Sequence, residues 1–319
     1  MQPLAPVSLE EVRAAVARLD GVAMRSPLLR LQGEAPADVH LKLESLQPTG
    51  SFKVRGAGNA LAQADRALIA RGVATASAGN MARAAAWLAD RRGVPCTVVA
   101  PDDAPAAKLD PVAALGARIV RVPFDEWWQT LLERGHPELD GFFIHPVSDP
   151  AVIAGNGTIG LEVVADLPDV DAVVVPLGGG GLSCGIACAV KAIRPGVRVF
   201  AAEVATAAPL AASLAAGRPV NVERIPSFVD GIGSGGVLPE MWPLASSVLD
   251  GSIVVDVDAV AEALRLLATR NRVVAEGAGA AALAAALTGR AGTGRVVAVI
   301  SGGNIDLATL SAILARRLH

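Results

Sequence analysis

Short, nearly uninterrupted apolar runs alternate with alanine-rich segments of helical spacing, and this alternation constrains the fold more than any other feature of the chain. VATAS (73–77) leads to NMARAAAWLADRRG, CTVVAP (96–101) to AAKLDPVAALG, and RIVRVP (118–123) to DEWWQTLLERG, with FFIHP (142–146) closing the series. Strands that are apolar throughout, with helices between them, suit parallel pairing with both faces covered. The second half repeats the theme. A helix over GTIGLEVVADL precedes strand AVVVP (172–176), and a glycine turn opens the helix GGGGLSCGIACAVKAI. Strand RVFAAE (198–203), helices over 258–271 and 275–288, strand VVAVIS (296–301) and a last helix over LATLSAILARRL follow. Ahead of all these, SLEEVRAAVARL (8–19) predicts an amphipathic helix capped by Ser8 with Glu11 three residues on. HLKLE (40–44) predicts a strand, QPTGS a turn and KVRGAGNALAQA a helix. The expected fold is α/β with two parallel-sheet lobes, each a three-layer αβα arrangement.

Composition removes several function classes. A net charge of −3 gives no basic footprint for nucleic acid. Alanine-rich runs such as AEGAGAAALAAAL are flanked by charge and contain no bulky apolar span, so no membrane segment is expected. MQPLAPVSLEEVRAAV has no charged-then-apolar leader layout, which makes the cytoplasm the expected location. The three cysteines, Cys96, Cys184 and Cys188, contain no C-x-x-C pair, so no structural zinc site is expected. Tyrosine is absent. The four histidines, His40, His136, His145 and His319, lie in separate regions without a G-x-S-x-G serine, which argues against a hydrolase triad.

Ligands of parallel α/β sheets bind beyond the carboxyl ends of the strands. Four features fall there: Lys53 after a tight turn, SAGN (77–80), PLGGGGL (176–182) and SGGN (301–304). Of 28 Lys and Arg residues only four are lysine, namely Lys42, Lys53, Lys108 and Lys191. A chain that otherwise uses arginine for positive charge has reason to use lysine where an amine must lose its proton and attack a carbonyl. Four consecutive glycines opening a helix let backbone N–H groups converge on an anion, to which the helix N-terminus adds its positive end. The glycines lack the dinucleotide G-x-G-x-x-G spacing and the P-loop G-K-[ST] ending. A cradle for one phosphate, a reactive amine and no metal or triad together suit pyridoxal 5'-phosphate.

With these residues in hand, the chain resembles the fold-type II pyridoxal-phosphate enzymes (tryptophan synthase β-like), and within them the serine/threonine dehydratase and serine racemase branch. LKLESLQPTGSFKVRGA, SAGN, PDDAPAAK, AGNGTIGLEV, PLGGGGL, VDGI, AEGAGA and SGGN resemble family motifs in the family order. The resemblance implies a large cofactor-binding domain over residues 1–70 and 149–319, and a small substrate-loop domain over 71–148. It implies that Lys53 forms the internal Schiff base and then removes the α-proton. Phe52 would lie near the ring plane and Asn80 would bond the ring hydroxyl. Gly178, Gly179, Gly180, Gly181 and Leu182 would hold the phosphate through N–H groups. Ser301 would face the ring nitrogen as a neutral partner, which suits β-elimination. Ser77, Ala78, Gly79, Asn80 and Met81 would form the substrate-binding loop, Ser77 holding the carboxylate. The activity implied is loss of water and ammonia from a β-hydroxy amino acid, L-threonine or L-serine, giving a 2-oxo acid, in a homodimer.

Several positions depart from the family pattern. Met81 stands where histidine is usual and cannot donate a hydrogen bond. Ala78 replaces the second serine of the racemases, so racemisation should be weak or absent. Glu203 matches one ligand of the branch's divalent-metal site, but Pro209 stands at the other, so no metal is expected there. Asn156 replaces a common glutamine. The chain ends soon after SGGN, so neither a regulatory domain nor feedback inhibition by isoleucine is expected. Trp127 and Trp128 are read as packing in the small lobe or as reaching a dimer surface. Glu276 either orients groups near the cofactor or caps a helix, Asp230 and Gly231 form a turn near the site, and Arg55 makes a structural ion pair. Competing readings are a dehydratase for another β-hydroxy amino acid such as 3-hydroxyaspartate, a serine racemase-like enzyme, β-replacement chemistry and a non-catalytic cofactor-binding protein.

Overall fold

The computed structural model describes residues 2–316. Its strands are β1 (Leu28–Arg30), β2 (Asp38–Leu43), β3 (Val73–Ala76), β4 (Cys96–Pro101), β5 (Arg118–Val122), β6 (Phe142–Phe143), β7 (Ala172–Pro176), β8 (Arg198–Val204), β9 (Ser252–Val255) and β10 (Arg295–Ile300). The helices are α1 (Leu9–Arg18), α2 (Lys53–Gln63), α3 (Arg66–Arg71), α4 (Asn80–Asp90), α5 (Ala106–Ala113), α6 (Phe124–Glu133), α7 (Pro150–Asp166), α8 (Gly181–Ile193), α9 (Pro209–Ala216), α10 (Trp242–Val248), α11 (Val257–Leu266), α12 (Gly277–Leu287) and α13 (Leu307–Leu314).

Two sheets organise the chain. The larger has the order β1-β2-β10-β7-β8-β9 and the smaller β5-β4-β3-β6. Every pairing is parallel except that of edge strand β1, which runs antiparallel to β2. The strands β3, β7 and the inner part of β10 are buried along their length, as their unbroken apolar character requires. Helix α2 packs against α7 on one side, where Gly56 and Gly155 let the two backbones meet. On the other side its Ala57, Ala60 and Leu61 enter the apolar core of the small sheet. The helix that starts with Lys53 is therefore clamped between the two lobes.

Most expected elements form, with differences at their ends. Ser8 and Glu11 make the reciprocal cap of α1. The FFIHP strand is cut to two residues because His145 turns the chain. Its Nδ1 accepts from the N–H groups of Val147 and Ser148 at 3.2 and 2.8 Å. Helix α7 begins earlier than read from the sequence, with Asp149 as cap and Pro150 in the first turn. Helices α3, α9 and α10 and strands β1 and β9 were not anticipated. The helix expected over 258–271 passes at Leu267–Asn271 into a π turn. Helix α13 ends at Leu314, and residues 317 and 318 of its expected span, like His319, lie outside the described residues. No helix among the described residues is long and apolar enough to cross a membrane.

Candidate active site

Lys53 is the first residue of α2 and is half-buried, its amine donating to the carbonyl of Pro146 at 2.9 Å. Burial pushes Lys53 down to about 8, with the Glu276 carboxylate acting in the opposite sense. An amine so placed reaches its neutral, nucleophilic form near physiological pH. Phe52 lies beside it, the ring centroid 5.0 Å from Nζ.

The loop that supplies the Pro146 carbonyl also shapes the glycine turn. A Cβ on Gly179 would stand 2.4 Å from a methyl of Val147, and one on Gly181 2.8 Å from the Val147 carbonyl. Gly180 has φ +94°, a left-handed conformation that favours glycine. Helix α8 starts there without a side-chain cap. Among the described residues, no carbonyl or side chain accepts from the N–H groups of Gly178 through Ser183. This turn, half-buried at Gly178 and Gly179 and buried from Gly180 on, therefore offers a row of open donors, with Leu182 in the first helical turn. Asn156 closes it from below, its Nδ2 donating to the Gly181 carbonyl at 3.2 Å.

The SAGN segment makes a second open helix start. Ser77 Oγ accepts from Gly79 N–H at 3.1 Å, and α4 begins without a side-chain cap. The N–H groups of Ala78, Asn80 and Met81 have no acceptor among the described residues. The Met81 side chain is 1% exposed and packs in the small-lobe core.

Backbone contacts bring SGGN to the same place. Phe52 N–H donates to the Ser301 carbonyl at 3.0 Å, and Ser51 bridges Gly302. Ser301 is buried, and its hydroxyl makes no hydrogen bond among the described residues. Glu276 occupies the cap position of α12, yet its carboxylate does not cap the helix. It lies over Gly302, where a Cβ would come within 2.4 Å, and accepts from Asn80 Nδ2 at 2.7 Å. Burial pushes Glu276 up to about 7, against the opposing effect of the Asn80 hydrogen bond. Asp230 pairs with Lys108 at 2.5 Å, a link from α5 to the large lobe.

Lys53, Phe52, Asn80, the glycine turn and Ser301 thus converge on one cleft. Sequence reading passed over Pro146, whose backbone carbonyl does the work, and Val147, whose fit to glycine is visible only in three dimensions. It also passed over Arg83 and Asn304, which join Asn80 in one hydrogen-bonded chain. His145 is no triad member. Burial, then the charges of Arg134 and Lys53, push it down to about 3, so it stays neutral. Trp128 packs against the large-lobe core, whereas Trp127 meets the half-exposed Phe124 at a tilt, with ring centroids 5.4 Å apart. Glu203 is buried and accepts from Leu210 N–H and Ala211 N–H, both at 2.8 Å, and from Ser252 Oγ at 2.6 Å. Its oxygens are thereby committed to the start of α9.

Residues 21–302 match the sequence profile of the family described as pyridoxal-phosphate dependent enzyme. The chain belongs to this family. It is 40% identical over 318 residues to the L-threonine ammonia-lyase of Thermotoga maritima, covering 98% of this chain and 79% of that one. It is 36% identical over 317 residues to the catabolic L-threonine dehydratase of Escherichia coli, covering 97% and 96%. Among solved structures, maize serine racemase superposes with a TM-score of 0.86 at 32% identity, covering 98% of both chains. Pyridoxal phosphate is accordingly the cofactor of this family site, and the residues present fit it. An amine of lowered pKa stands ready for the aldehyde, and a turn of unsatisfied N–H groups, too tight for a Cβ at Gly179 and Gly181, stands ready for the phosphate.

Proposed function

We propose that this protein is an ammonia-lyase acting on a small β-hydroxy amino acid, L-threonine or L-serine, and releasing a 2-oxo acid and ammonia. The observation that carries the reading is the Lys53 amine, held at about 8 beside the open glycine turn. The N–H groups of Gly178, Gly179, Gly180, Gly181 and Leu182 would hold the cofactor phosphate. Phe52 would flank the ring, Asn80 would donate to the ring hydroxyl, and Ser301 would meet the ring nitrogen. When bound, pyridoxal phosphate supplies an aldehyde for an amine and a conjugated ring that takes up the electron pair left at Cα.

Ser77, with the open N–H groups of Ala78, Asn80 and Met81, holds the substrate carboxylate at the start of α4. Gly79 spends its N–H on Ser77 and so shapes this loop, and Met81 contributes backbone only. Lys53, freed from the Pro146 carbonyl, takes the proton from Cα. The β-hydroxyl departs as water, and the proton that Lys53 took from Cα balances the one the hydroxyl takes up. The enamine left behind moves a proton to Cβ, and the resulting imine adds water and separates into 2-oxo acid and ammonia. Ser301 is a hydroxyl rather than a carboxylate, so it does not hold the ring nitrogen protonated, which favours elimination over transamination.

Cytoplasmic location and a homodimer belong to the same reading. The three cysteines are free and buried, as in a reducing compartment. Met24, Leu29 and Leu46 are exposed apolar residues near edge strand β1, a surface suited to a second copy. The test is 2-oxo acid release from L-threonine and L-serine, with Lys53→Ala as control. Release that disappears in the variant supports the reading. No lysine-dependent release from either substrate, by protein that carries the cofactor, overturns it.

A further inference from the structure

Four side chains form one directed line across the cleft. Arg83 Nη1 donates to Asn304 Oδ1. Asn304 Nδ2 donates to Asn80 Oδ1 at 2.7 Å and to the Thr49 carbonyl at 2.9 Å. Asn80 Nδ2 donates to Glu276 Oε1 at 2.7 Å. Arg83 and Asn80 lie one turn apart on α4, and Asn304 and Glu276 come from the large lobe, so the line crosses between lobes three times.

An isolated asparagine amide turns over at little cost, because its oxygen and nitrogen ends have the same shape. Here the two ends of the line remove that freedom. A guanidinium has donors only, so Asn304 must meet Arg83 with its oxygen. The Asn304 nitrogen then faces Asn80 and spends both hydrogens, on Asn80 and Thr49. Asn80 must in turn present oxygen to Asn304 and nitrogen to Glu276. One N–H of Asn80 remains uncommitted, and no lone pair of Asn80 competes with it on that side.

We propose that Arg83 is a positioning residue which, through Asn304, fixes the amide of Asn80 as a donor to the cofactor's ring hydroxyl. This rests on the reading of the cleft as the pyridoxal-phosphate site. Arg83 does not touch the cofactor. It sets the polarity of the amide that does, and Glu276 holds the same polarity from the other end. A donor at the ring oxygen favours the ionised hydroxyl, so losing it raises the pH at which that oxygen ionises.

The test compares Arg83→Met, Arg83→Lys and Asn304→Asp as cofactor-loaded enzymes. The readouts are the pH midpoint of the cofactor's visible absorption and the cofactor dissociation constant. Arg83→Met removes the terminal donor, and the midpoint is expected to rise by about one pH unit with affinity ~10-fold weaker, the size of one hydrogen bond to a charged group. Arg83→Lys keeps a donor-only end and is expected to stay near wild type. Asn304→Asp strengthens the contact with Arg83 but takes away the donor that Asn80 needs, and is expected to shift the midpoint as Arg83→Met does. An unchanged midpoint in Arg83→Met overturns the proposal. So does an Asn304→Asp enzyme that behaves like wild type, because Arg83 would then act only as a tie between lobes. A rise in KM for the amino acid with an unchanged spectrum also overturns it, in favour of direct substrate contact. Wild-type protein that takes up no cofactor at all would sink the reading of the cleft itself, and is distinguished from the others at the first spectrum.

Discussion

Replacing Glu276 with glutamine should make the cofactor-free protein relatively more stable as the pH rises. The carboxyl is buried and stands at about 7 against an ordinary 4.5, burial being the main cause and Asp230 adding to it, while Asn80 and Lys108 oppose. An acid with a raised folded value loses its proton first in the unfolded chain. The resulting penalty is absent below about 4.5 and complete above about 7. At about 1.4 kcal/mol per pH unit, the shift corresponds to about 3 kcal/mol. The glutamine amide keeps an oxygen for Asn80 Nδ2 and cannot ionise, so it carries no such penalty. Lys53 sits at about 8, so between the two values both groups are charged and their attraction recovers part of the cost. For a chain of this size, the melting temperature of E276Q minus that of wild type should be higher at pH 7.5 than at pH 5 by roughly 3 °C. Differential scanning calorimetry or fluorimetry at the two pH values measures it directly. A difference that is the same at both would show that Glu276 titrates as an ordinary carboxyl. A difference that falls with pH would show that it is held ionised by Lys53, and the argument from burial would be wrong.

The glycine turn gives a paired test. Gly179→Ala puts a methyl into the Val147 side chain and should weaken cofactor binding ~10-fold or more, with Val147→Ala in the same chain restoring most of it. Gly181→Ala meets the Val147 carbonyl instead, so the same second change should restore nothing, and equal rescue of both would refute the packing account. In cofactor-free protein, amine-directed labelling of Lys53 followed by mass spectrometry should show a pH midpoint near 8, whereas a midpoint at the ordinary 10.5 would mean the amine is not desolvated. Arg55→Met strands Glu44, which is 0% exposed and bonded to Arg55 at 2.8 Å, and should lower stability in urea unfolding by about 3–5 kcal/mol, a loss under about 1 kcal/mol counting against a buried ion pair.

The sequence exposes the strands that are apolar throughout and the chemistry at their carboxyl ends, because both are local patterns. AVVVP and CTVVAP fall on the residues of β7 and β4, and the glycine turn opens α8 as its composition requires. What it hides has two physical causes. Helices α9 and α10 are short and start at proline or just before it, with 8 and 7 residues, too little periodicity to stand out from a loop. Strand β1 has three residues and an exposed outer edge, so it lacks the continuous apolar run that marks its parallel neighbours.

The other cause lies in the site. Pro146 acts through a carbonyl that every residue possesses, so nothing in its identity announces the contact with Lys53. Arg83 reads as one more charge on a helix, and Asn304 as the end of a glycine motif. They acquire a role only because α4 and the segment after β10 meet across the cleft, 221 positions apart. His145 illustrates the same limit from the other side. Its residue type points towards catalysis, but its burial and its bonds to Val147 and Ser148 make it a neutral fastener of the turn that carries Pro146 and Val147. That turn touches both the lysine amine and the glycine cradle. The spacing between the group that meets the aldehyde and the group that meets the phosphate is therefore set by a third segment, one whose functional contacts are made by a backbone carbonyl and a valine side chain.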